Sequence, residues 1–139
     1  METRYKIVIV DDSVFIRKWT RIALGTRHYD LIEIDSPIGI IEAIARQQPS
    51  LVLMDVYMPA IQGNRVTELV RRSGTQRYPL VLYSTIPEAR LSALARACGA
   101  DGYIMKTQDA AAFRRSIQRY LGAPTSAHAE PPGAASARG

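Results

Sequence analysis

The stretch KIVIVDDS, residues 6–13, decides the fold. A short, nearly continuous apolar run is followed at once by two aspartates, and a segment of helical period begins at Val14. Such a run is typical of a strand buried on both faces, which occurs in parallel sheets covered by helices on each side. The stretch therefore predicts the first strand of a parallel α/β fold and the start of the helix that follows it.

The same alternation recurs along the chain. Apolar runs occupy residues 6–10, 31–34, 51–54, 80–83 and 103–105, and helical patterns lie between and after them, near 14–24, 37–47, 63–72, 87–97 and 109–121. Five such units predict a five-stranded parallel sheet with helices on both faces. The expected closure is the doubly wound, flavodoxin-like order 2-1-3-4-5, because a barrel would need eight units.

Residue types at the element boundaries support these assignments. Ser36 followed by Pro37 predicts the N-cap and first position of the second helix. Gly25 and Gly99 follow helical segments, where glycine commonly terminates a helix. Asp109 is the predicted N-cap of the last helix.

Composition separates the 139 residues into two parts. Residues 1–121 form the predicted folded domain, whereas residues 122–139 are rich in Ala, Pro and Gly and contain no branched aliphatic, methionine or aromatic residue. This second part is predicted to be a disordered tail, because it has too little apolar area to offset the entropy of ordering.

Cysteine content and hydropathy indicate a cytoplasmic protein. Cys98 is the only cysteine, which excludes an intramolecular disulfide. No apolar stretch approaches the roughly 20 residues that a membrane helix needs, so membrane insertion is not expected. The net charge of +5 is compatible with a nucleic-acid or acidic-protein partner, or with a surface that is merely solubilised by arginine.

Chemically active residues stand where the predicted strands end. Asp11 and Asp12 follow the first strand, Asp55 the third, Ser84 the fourth and Lys106 the fifth. Open parallel sheets form their sites at the carboxyl ends of strands, at the point where the strand order reverses. In the order 2-1-3-4-5 that point lies between strands one and three, so these side chains are expected in one crevice.

Three adjacent carboxylates need compensating positive charge. A pair of like charges about 4 Å apart costs on the order of 4 kcal/mol at an effective dielectric of 20. Lys106 supplies one positive charge, and a divalent cation would supply the rest. A donor set of oxygens without His or Cys favours Mg²⁺, or Mn²⁺ in its place, over zinc. Since Mg²⁺ often completes its shell with phosphate oxygens, the pattern points to phosphoryl chemistry.

These motifs resemble those of the bacterial two-component response-regulator receiver family over residues 5–121. The resemblance rests on VDDSVFIRK (10–18), LVLMDVYMP (51–59), the following AIQG, PLVLYST (79–85) and GADGYIMK (99–106). It implies a magnesium-dependent phosphoacceptor that catalyses only its own phosphorylation and dephosphorylation. The implied phosphodonor is a sensor histidine kinase or a histidine phosphotransfer protein.

The resemblance also implies a role for each site residue. Asp55 is the expected phosphoacceptor, with Lys106 and Ser84 as its catalytic partners. The expected metal ligands are Asp11, Asp12, Asp55 and the backbone carbonyl of Tyr57. Ser84 and Tyr103 are the expected switch, which would alter a docking face for a downstream protein made by the fourth helix, fifth strand and fifth helix.

Three residues depart from the usual family pattern. Thr107 stands where proline is usual, which is expected to loosen the turn after Lys106. Thr85 is larger than the alanine or glycine common there, and Tyr57 is larger than many residues at its position. None of the three changes removes the chemistry of Lys106.

Several functions and surfaces stay open on the sequence alone. The chain could be a stand-alone receiver, with DDSVFIRK leaning towards the chemotaxis-like branch, or part of a DNA-acting transcriptional regulator; direct nucleic-acid binding is not expected. A small-substrate phosphohydrolase is disfavoured because Tyr57 replaces the general acid it would need. The stripe Phe15, Trp19 and Ile22 fits either core packing or donor docking, and Arg114, Arg115 and Arg119 fit either a solvated face or an acidic partner.

Overall fold

The computed structural model describes residues 4–36, 38–74 and 78–122. Strands and helices alternate along them: β1 (Tyr5–Val10), α1 (Val14–Leu24), β2 (Tyr29–Ile34), α2 (Ile40–Gln47), β3 (Leu51–Asp55), α3 (Gly63–Ser73), β4 (Leu80–Ser84), α4 (Glu88–Cys98), β5 (Gly102–Met105) and α5 (Ala110–Gly122). The strands pair in parallel in the order β2-β1-β3-β4-β5. The predicted topology is therefore confirmed.

Two apolar layers hold helices against the sheet. Successive side chains of a strand point to opposite faces, so Val8 and Val10 enter one layer and Ile7 and Ile9 the other. The first layer packs against α2, α3 and α4, and the second packs against α1 and α5. Full burial of each large aliphatic side chain contributes about 1.5–3 kcal/mol, which explains why β3 and β4 are apolar nearly throughout.

Strand register aligns the ends that bear the polar residues. Val10 pairs with Met54 in neighbouring strands, so the residues that follow β1 lie beside Asp55. Asp55 pairs with Tyr83, and Ser84 pairs with Met105. The side chains predicted to meet are therefore held at one edge by backbone pairing, before any side-chain contact is considered.

The second helix begins later than predicted. It starts at Ile40 with Gly39 as N-cap in the left-handed region at φ 69°, rather than at residue 37 with Ser36 as N-cap. The Ser36 hydroxyl instead accepts a hydrogen bond from the Ile38 amide at 3.2 Å. This local bond stabilises a turn that competes with a helix start, as serine side chains commonly do. Pro37 lies outside the described residues.

Other boundary predictions are confirmed. The amide of Gly25 donates to the Arg21 carbonyl after α1, and Gly99 ends α4 in the left-handed region. The Asp109 carboxylate accepts from the Ala112 amide at 3.1 Å, as an N-cap should. The predicted tail begins one residue too early, because Gly122 is the last residue of α5. Residues 123–139 lie outside the described residues, and their disorder stays a prediction.

The apolar stripe on α1 divides into two groups. Trp19 packs edge-on against Phe113 of α5, with ring centroids 5.4 Å apart, so core packing is confirmed for it. Core packing is wrong for Phe15 and Ile22, which are 71% and 81% exposed. Those two side chains lie on the outer side of a helix whose buried residues are Thr20, Ala23 and Leu24.

The arginines of α5 also differ from one another. Arg114 is partly buried and donates to the Ala23 carbonyl at 2.9 Å, which ties α5 to the end of α1. Arg115 and Arg119 are exposed. Within the ranges that the structure describes, every helix is too short or too polar to cross a lipid bilayer.

Candidate functional site

An acidic cluster lies at the carboxyl ends of β1 and β3. One carboxylate oxygen from each of Asp11, Asp12 and Asp55 lies within 4.8 Å of the others. Asp11 is fully buried and Asp55 nearly so, whereas Asp12 is exposed. The Ser13 amide donates to the Asp11 carboxylate at 2.9 Å, which fixes its orientation at the start of α1. The predicted convergence of these three carboxylates is what the structure shows.

Lys106 places an ammonium group against this cluster. Its Nζ lies 2.9 Å from Oδ2 of Asp11 and 3.1 Å from Oδ1 of Asp55, and its side chain is 12% exposed. Its backbone amide donates to the Ser84 carbonyl at 2.8 Å, so strand pairing sets the position from which the side chain extends. One ammonium against three carboxylates leaves a local excess of two negative charges.

The environment of Asp55 disfavours its ionised form. Burial raises the pKa of the Asp55 carboxyl above its ordinary value, and the nearby charges of Asp11 and Asp12 act in the same direction. Lys106 opposes them by charge and hydrogen bonding but does not reverse the shift. A cation that binds the ionised carboxylates would remove much of this cost.

Tyr83 lies within the same site, and its role was not predicted from the sequence. The Lys106 Nζ lies over the Tyr83 ring, 5.3 Å from its centroid. The Tyr83 hydroxyl lies 3.3 Å from the hydroxyl of Thr20. Burial raises the pKa of Tyr83 to about 12, so the phenol stays neutral. One feature of the sequence could have indicated its role: Tyr83 is a large aromatic residue directly before Ser84, at the end of a strand where the other residues of the site lie.

Ser84 ends β4 at this edge of the sheet, whereas Tyr103 lies further back in β5, where it pairs with Leu82. The Ser84 hydroxyl accepts from the Ile86 amide at 3.3 Å, and its side chain is buried at the end of β4. The Tyr103 hydroxyl donates to the Glu88 carboxylate of α4 at 2.9 Å. The structure therefore places Ser84 near the crevice and holds the Tyr103 ring against α4.

The backbone of Tyr103 is held by a second tyrosine. The Tyr120 hydroxyl of α5 accepts from the Tyr103 amide at 3.0 Å and donates to the Tyr103 carbonyl at 3.2 Å. Burial raises the pKa of Tyr120 to about 12, so the hydroxyl keeps the proton it donates. Gly102 is required beside it, because a Cβ there would overlap the Tyr120 hydroxyl.

The loop after β3 brings backbone close to Asp55. The Gly63 amide donates to the Val56 carbonyl at 2.8 Å, and a Cβ at Gly63 would overlap the Asp55 carbonyl oxygen. Tyr57, the predicted carbonyl ligand, lies in this loop with its side chain 48% exposed. The tight return of the chain at Gly63 is what positions the backbone around the acidic cluster.

The turn after Lys106 has side-chain hydrogen bonds of its own. The Thr107 hydroxyl accepts from the Asp109 amide at 3.0 Å, and Asp109 in turn caps α5. Threonine hydroxyls commonly stabilise turns in this way. The loosening expected from the absence of proline stays a prediction, but the threonine provides a local restraint.

The geometry fits an oxygen-ligated divalent cation beside a carboxylate nucleophile. The clustered donors are all carboxylate oxygens, which suit Mg²⁺ or Mn²⁺. The local excess of two negative charges matches one divalent ion. An ammonium group within 3.1 Å of Asp55 would also attract an anionic group that approaches that carboxylate.

The curated proteins that are similar to this chain in sequence are longer than it is. The chain is 29% identical over 106 residues to the CAI-1 autoinducer sensor kinase/phosphatase CqsS of Vibrio cholerae, covering 75% of this chain and 16% of that protein. It is 30% identical over 121 residues to a protein-glutamate methylesterase/protein-glutamine glutaminase of Trichodesmium erythraeum, covering 83% of this chain and 34% of that protein. The chain thus spans about a third or less of either relative.

Solved structures show the same fold. The receiver domain of Klebsiella pneumoniae RstA, activated with BeF₃, superposes with a TM-score of 0.74 at 28% identity, covering 84% of this chain and 97% of that one. The chemotaxis protein CheY4 of Vibrio cholerae gives a TM-score of 0.76 at 22% identity, covering 86% and 100%.

A family model agrees with these likenesses and with the site. The model for the response regulator receiver domain matches residues 7–118, which include the acidic cluster, Ser84, Tyr103 and Lys106. This chain belongs to the response regulator receiver domain family of two-component signalling.

Proposed function

We propose that this receiver domain accepts a phosphoryl group on Asp55 from a sensor histidine kinase or a histidine phosphotransfer protein. One observation supports the assignment above others: Asp55 ends the central strand β3 with its carboxylate 3.1 Å from Lys106 and beside Asp11 and Asp12. The other two carboxylates of the cluster differ from Asp55 in exposure: Asp11 is fully buried, and Asp12 is exposed at the rim.

In the proposed transfer, a carboxylate oxygen of Asp55 attacks the phosphorus of the donor phosphohistidine. A P–O bond forms as the P–N bond breaks, and the electron pair of that bond returns to the imidazole. The Lys106 ammonium is placed to stabilise negative charge on the phosphoryl oxygens. Water later cleaves the acyl phosphate to restore the carboxylate and release phosphate, so the proposed activity is limited to the domain's own phosphorylation and dephosphorylation.

Mg²⁺, with Mn²⁺ as a substitute, is the cofactor that the cluster would hold. Asp12, Asp55 and the backbone carbonyl of Tyr57 are the proposed direct ligands, with Asp11 acting through water. When bound, the ion would neutralise charge on the carboxylates and on the phosphoryl oxygens. Asp11 already contacts Lys106 and the Ser13 amide, which is why it is assigned the indirect role.

Ser84 and Tyr103 form the proposed switch. The Ser84 hydroxyl would leave the Ile86 amide and donate to a phosphoryl oxygen, which draws the β4–α4 loop towards Asp55. The Tyr103 hydroxyl would then leave Glu88 and the ring would move inwards. Because Tyr120 holds the Tyr103 backbone, the change is expected in the side chain and in α4 rather than in β5.

The output is proposed to be docking of a downstream protein on the α4–β5–α5 face. A stand-alone receiver of the chemotaxis type is the favoured architecture, on the stretch DDSVFIRK at residues 11–18. A receiver that is part of a DNA-acting transcriptional regulator is the alternative, since the matching relatives include the transcriptional regulatory protein DegU of Brevibacillus brevis. The cytoplasmic location and the lack of direct nucleic-acid binding stay predictions from the sequence.

The phosphoacceptor assignment is tested by treating the protein with phosphoramidate and Mg²⁺. Intact mass should rise by one phosphoryl group, the peptide that contains residue 55 should hold it, and hydroxylamine should remove it, as expected of an acyl phosphate. Chelation of the metal should prevent incorporation. Asp12→Ala should raise the Mg²⁺ concentration for half-maximal rate more than Asp11→Ala does, because Asp12 is the proposed direct ligand.

Two results would contradict this assignment. Incorporation that is unchanged by chelation would exclude the metal, and a phosphoryl group mapped to a residue other than Asp55 would exclude the acceptor. A larger effect of Asp11→Ala than of Asp12→Ala would reverse the proposed ligand roles.

The switch is tested by NMR with and without beryllofluoride, which mimics the phosphoryl group. We expect amide shifts in α4 in the wild type, and their loss in Ser84→Ala with the site shifts retained. Thr85→Ala, at the neighbouring exposed position, is the matched control and should behave like the wild type. Full α4 shifts in Ser84→Ala would exclude Ser84 as the switch.

A further inference from the structure

Tyr83 is the large buried side chain next to the acidic cluster that the proposed chemistry does not use. It is 1% exposed, pairs with Ile104 in β5 and directly precedes Ser84. Its ring contacts Phe113 with centroids 5.6 Å apart, and its hydroxyl meets that of Thr20. Packing on all sides fixes the ring, because a fully buried side chain in a close-packed core has little rotational freedom.

The fixed ring presents its face to Lys106. Nζ lies over the ring at 5.3 Å from the centroid, and the ammonium also contacts Asp11 and Asp55. The negative face of an aromatic ring attracts a cation, and more strongly where water is excluded. The lysine ammonium is a compact charge at the end of a flexible four-carbon side chain. Its contacts with two carboxylates alone would therefore not determine the direction from which the side chain approaches them. The Tyr83 ring restricts the position of the ammonium from a third side.

We propose that Tyr83 is a positioning residue for Lys106, which holds the ammonium at Asp55 through the face of its ring. This inference rests on the proposed function, since it names what keeps Lys106 available to the phosphoryl group. The ring and the hydroxyl have separate roles. The ring supports Lys106, whereas the hydroxyl contacts Thr20, whose own hydroxyl donates to the Ile16 carbonyl within α1.

The test compares Tyr83→Phe with Tyr83→Leu in the phosphoramidate assay. Tyr83→Phe keeps the aromatic face and should phosphorylate within about twofold of the wild-type rate. Tyr83→Leu keeps apolar bulk but removes the face, and should be about fivefold slower, in line with a cation–π contact at a partly buried site. Ile117→Ala, in the same apolar layer, is the control for a destabilised core and should retain the wild-type rate.

A double-mutant comparison separates positioning from general damage. In a Lys106→Met background, Tyr83→Leu should have no further effect on the rate, because the group that it positions is absent. An equal fivefold loss with and without Lys106, or an equal loss in Tyr83→Phe and Tyr83→Leu, would overturn the proposal.

A second readout does not depend on phosphorylation. The chain has three lysines, Lys6, Lys18 and Lys106, so a lysine-labelled NMR spectrum is simple to assign. The ε-methylene signal of Lys106 should be shifted upfield by the ring, remain so in Tyr83→Phe, and return to the ordinary position in Tyr83→Leu. If the Lys106 signals behave as expected but the wild type is not phosphorylated, the proposed function alone is rejected. If the wild-type Lys106 signal is not shifted, the role of Tyr83 is rejected.

Discussion

Replacing Asp55 with asparagine is expected to abolish phosphoryl incorporation from phosphoramidate. The amide has the shape of the carboxylate but is not a nucleophile at neutral pH, so the P–O bond cannot form. Intact mass spectrometry of both proteins under the same Mg²⁺ concentration measures the result. Full incorporation in Asp55→Asn would show that the phosphoryl group goes elsewhere and would remove Asp55 from the mechanism.

The same substitution should not unfold the protein, so a loss of phosphorylation can be assigned to the missing nucleophile and not to a loss of folding. The pKa of Asp55 in the folded state is raised above its ordinary value of 3.8. For an acid shifted in this direction, ionisation destabilises the fold: the penalty is absent below pH 3.8, grows between pH 3.8 and the folded pKa, and is constant above it. Asp55→Asn removes that penalty. Without metal, its urea midpoint should therefore exceed the wild-type value by more at pH 7 than at pH 4; a lower midpoint than wild type at pH 7 would contradict this.

Replacing Gly63 with alanine is expected to lower the free energy of unfolding by about 3 kcal/mol, the upper part of the range for overpacking. The added Cβ would overlap the Asp55 carbonyl oxygen and approach Asp55 carbon and Met54 side-chain atoms. Backbone of a central strand cannot yield as a flexible side chain can, so Asp55 itself must shift. We therefore expect slower phosphorylation in addition to lower stability, measured by urea denaturation and the phosphoramidate assay.

Gly25→Ala is the matched control for this prediction. Gly25 has φ 70° with no atom within 4 Å of an added Cβ, so alanine there tests backbone strain without steric overlap. Its cost should be about 1–3 kcal/mol from the backbone conformation alone, with an unchanged phosphorylation rate. Equal effects at the two positions would mean that close packing at Gly63 is unimportant.

The convergence of Asp11, Asp12, Asp55 and Lys106 was predictable from the sequence, because backbone pairing determines most of it. Asp55 and Asp11 meet since β1 and β3 are neighbours, and that adjacency follows from five alternating strand and helix patterns. Features that depend on local competition were less predictable. Ser36 could equally cap a helix or a turn, and the choice depends on the left-handed Gly39, which no periodicity reveals.

Side-chain contacts across the fold were the least predictable. Phe15 and Ile22 have the same spacing as buried residues, and only the observed orientation of α1 shows that they face outwards. The sequence pattern predicts only that Tyr83 belongs to the apolar run of the fourth strand, because nothing in a linear pattern shows that its ring lies against Lys106. Periodicity indicates which residues share a face, but not which groups on different elements meet.

The hydroxyl of Tyr120 also bears on how the domain avoids self-association. β5 is an edge strand, and an unpaired edge offers amide and carbonyl groups to any extended chain that approaches it. At Tyr103 both groups are already bonded to Tyr120, with the helix α5 brought over the strand and Gly102 leaving room for the contact. An incoming strand would have to displace a buried tyrosine at the middle of this short edge. The contact therefore blocks strand addition at Tyr103 on the β5 edge of the sheet.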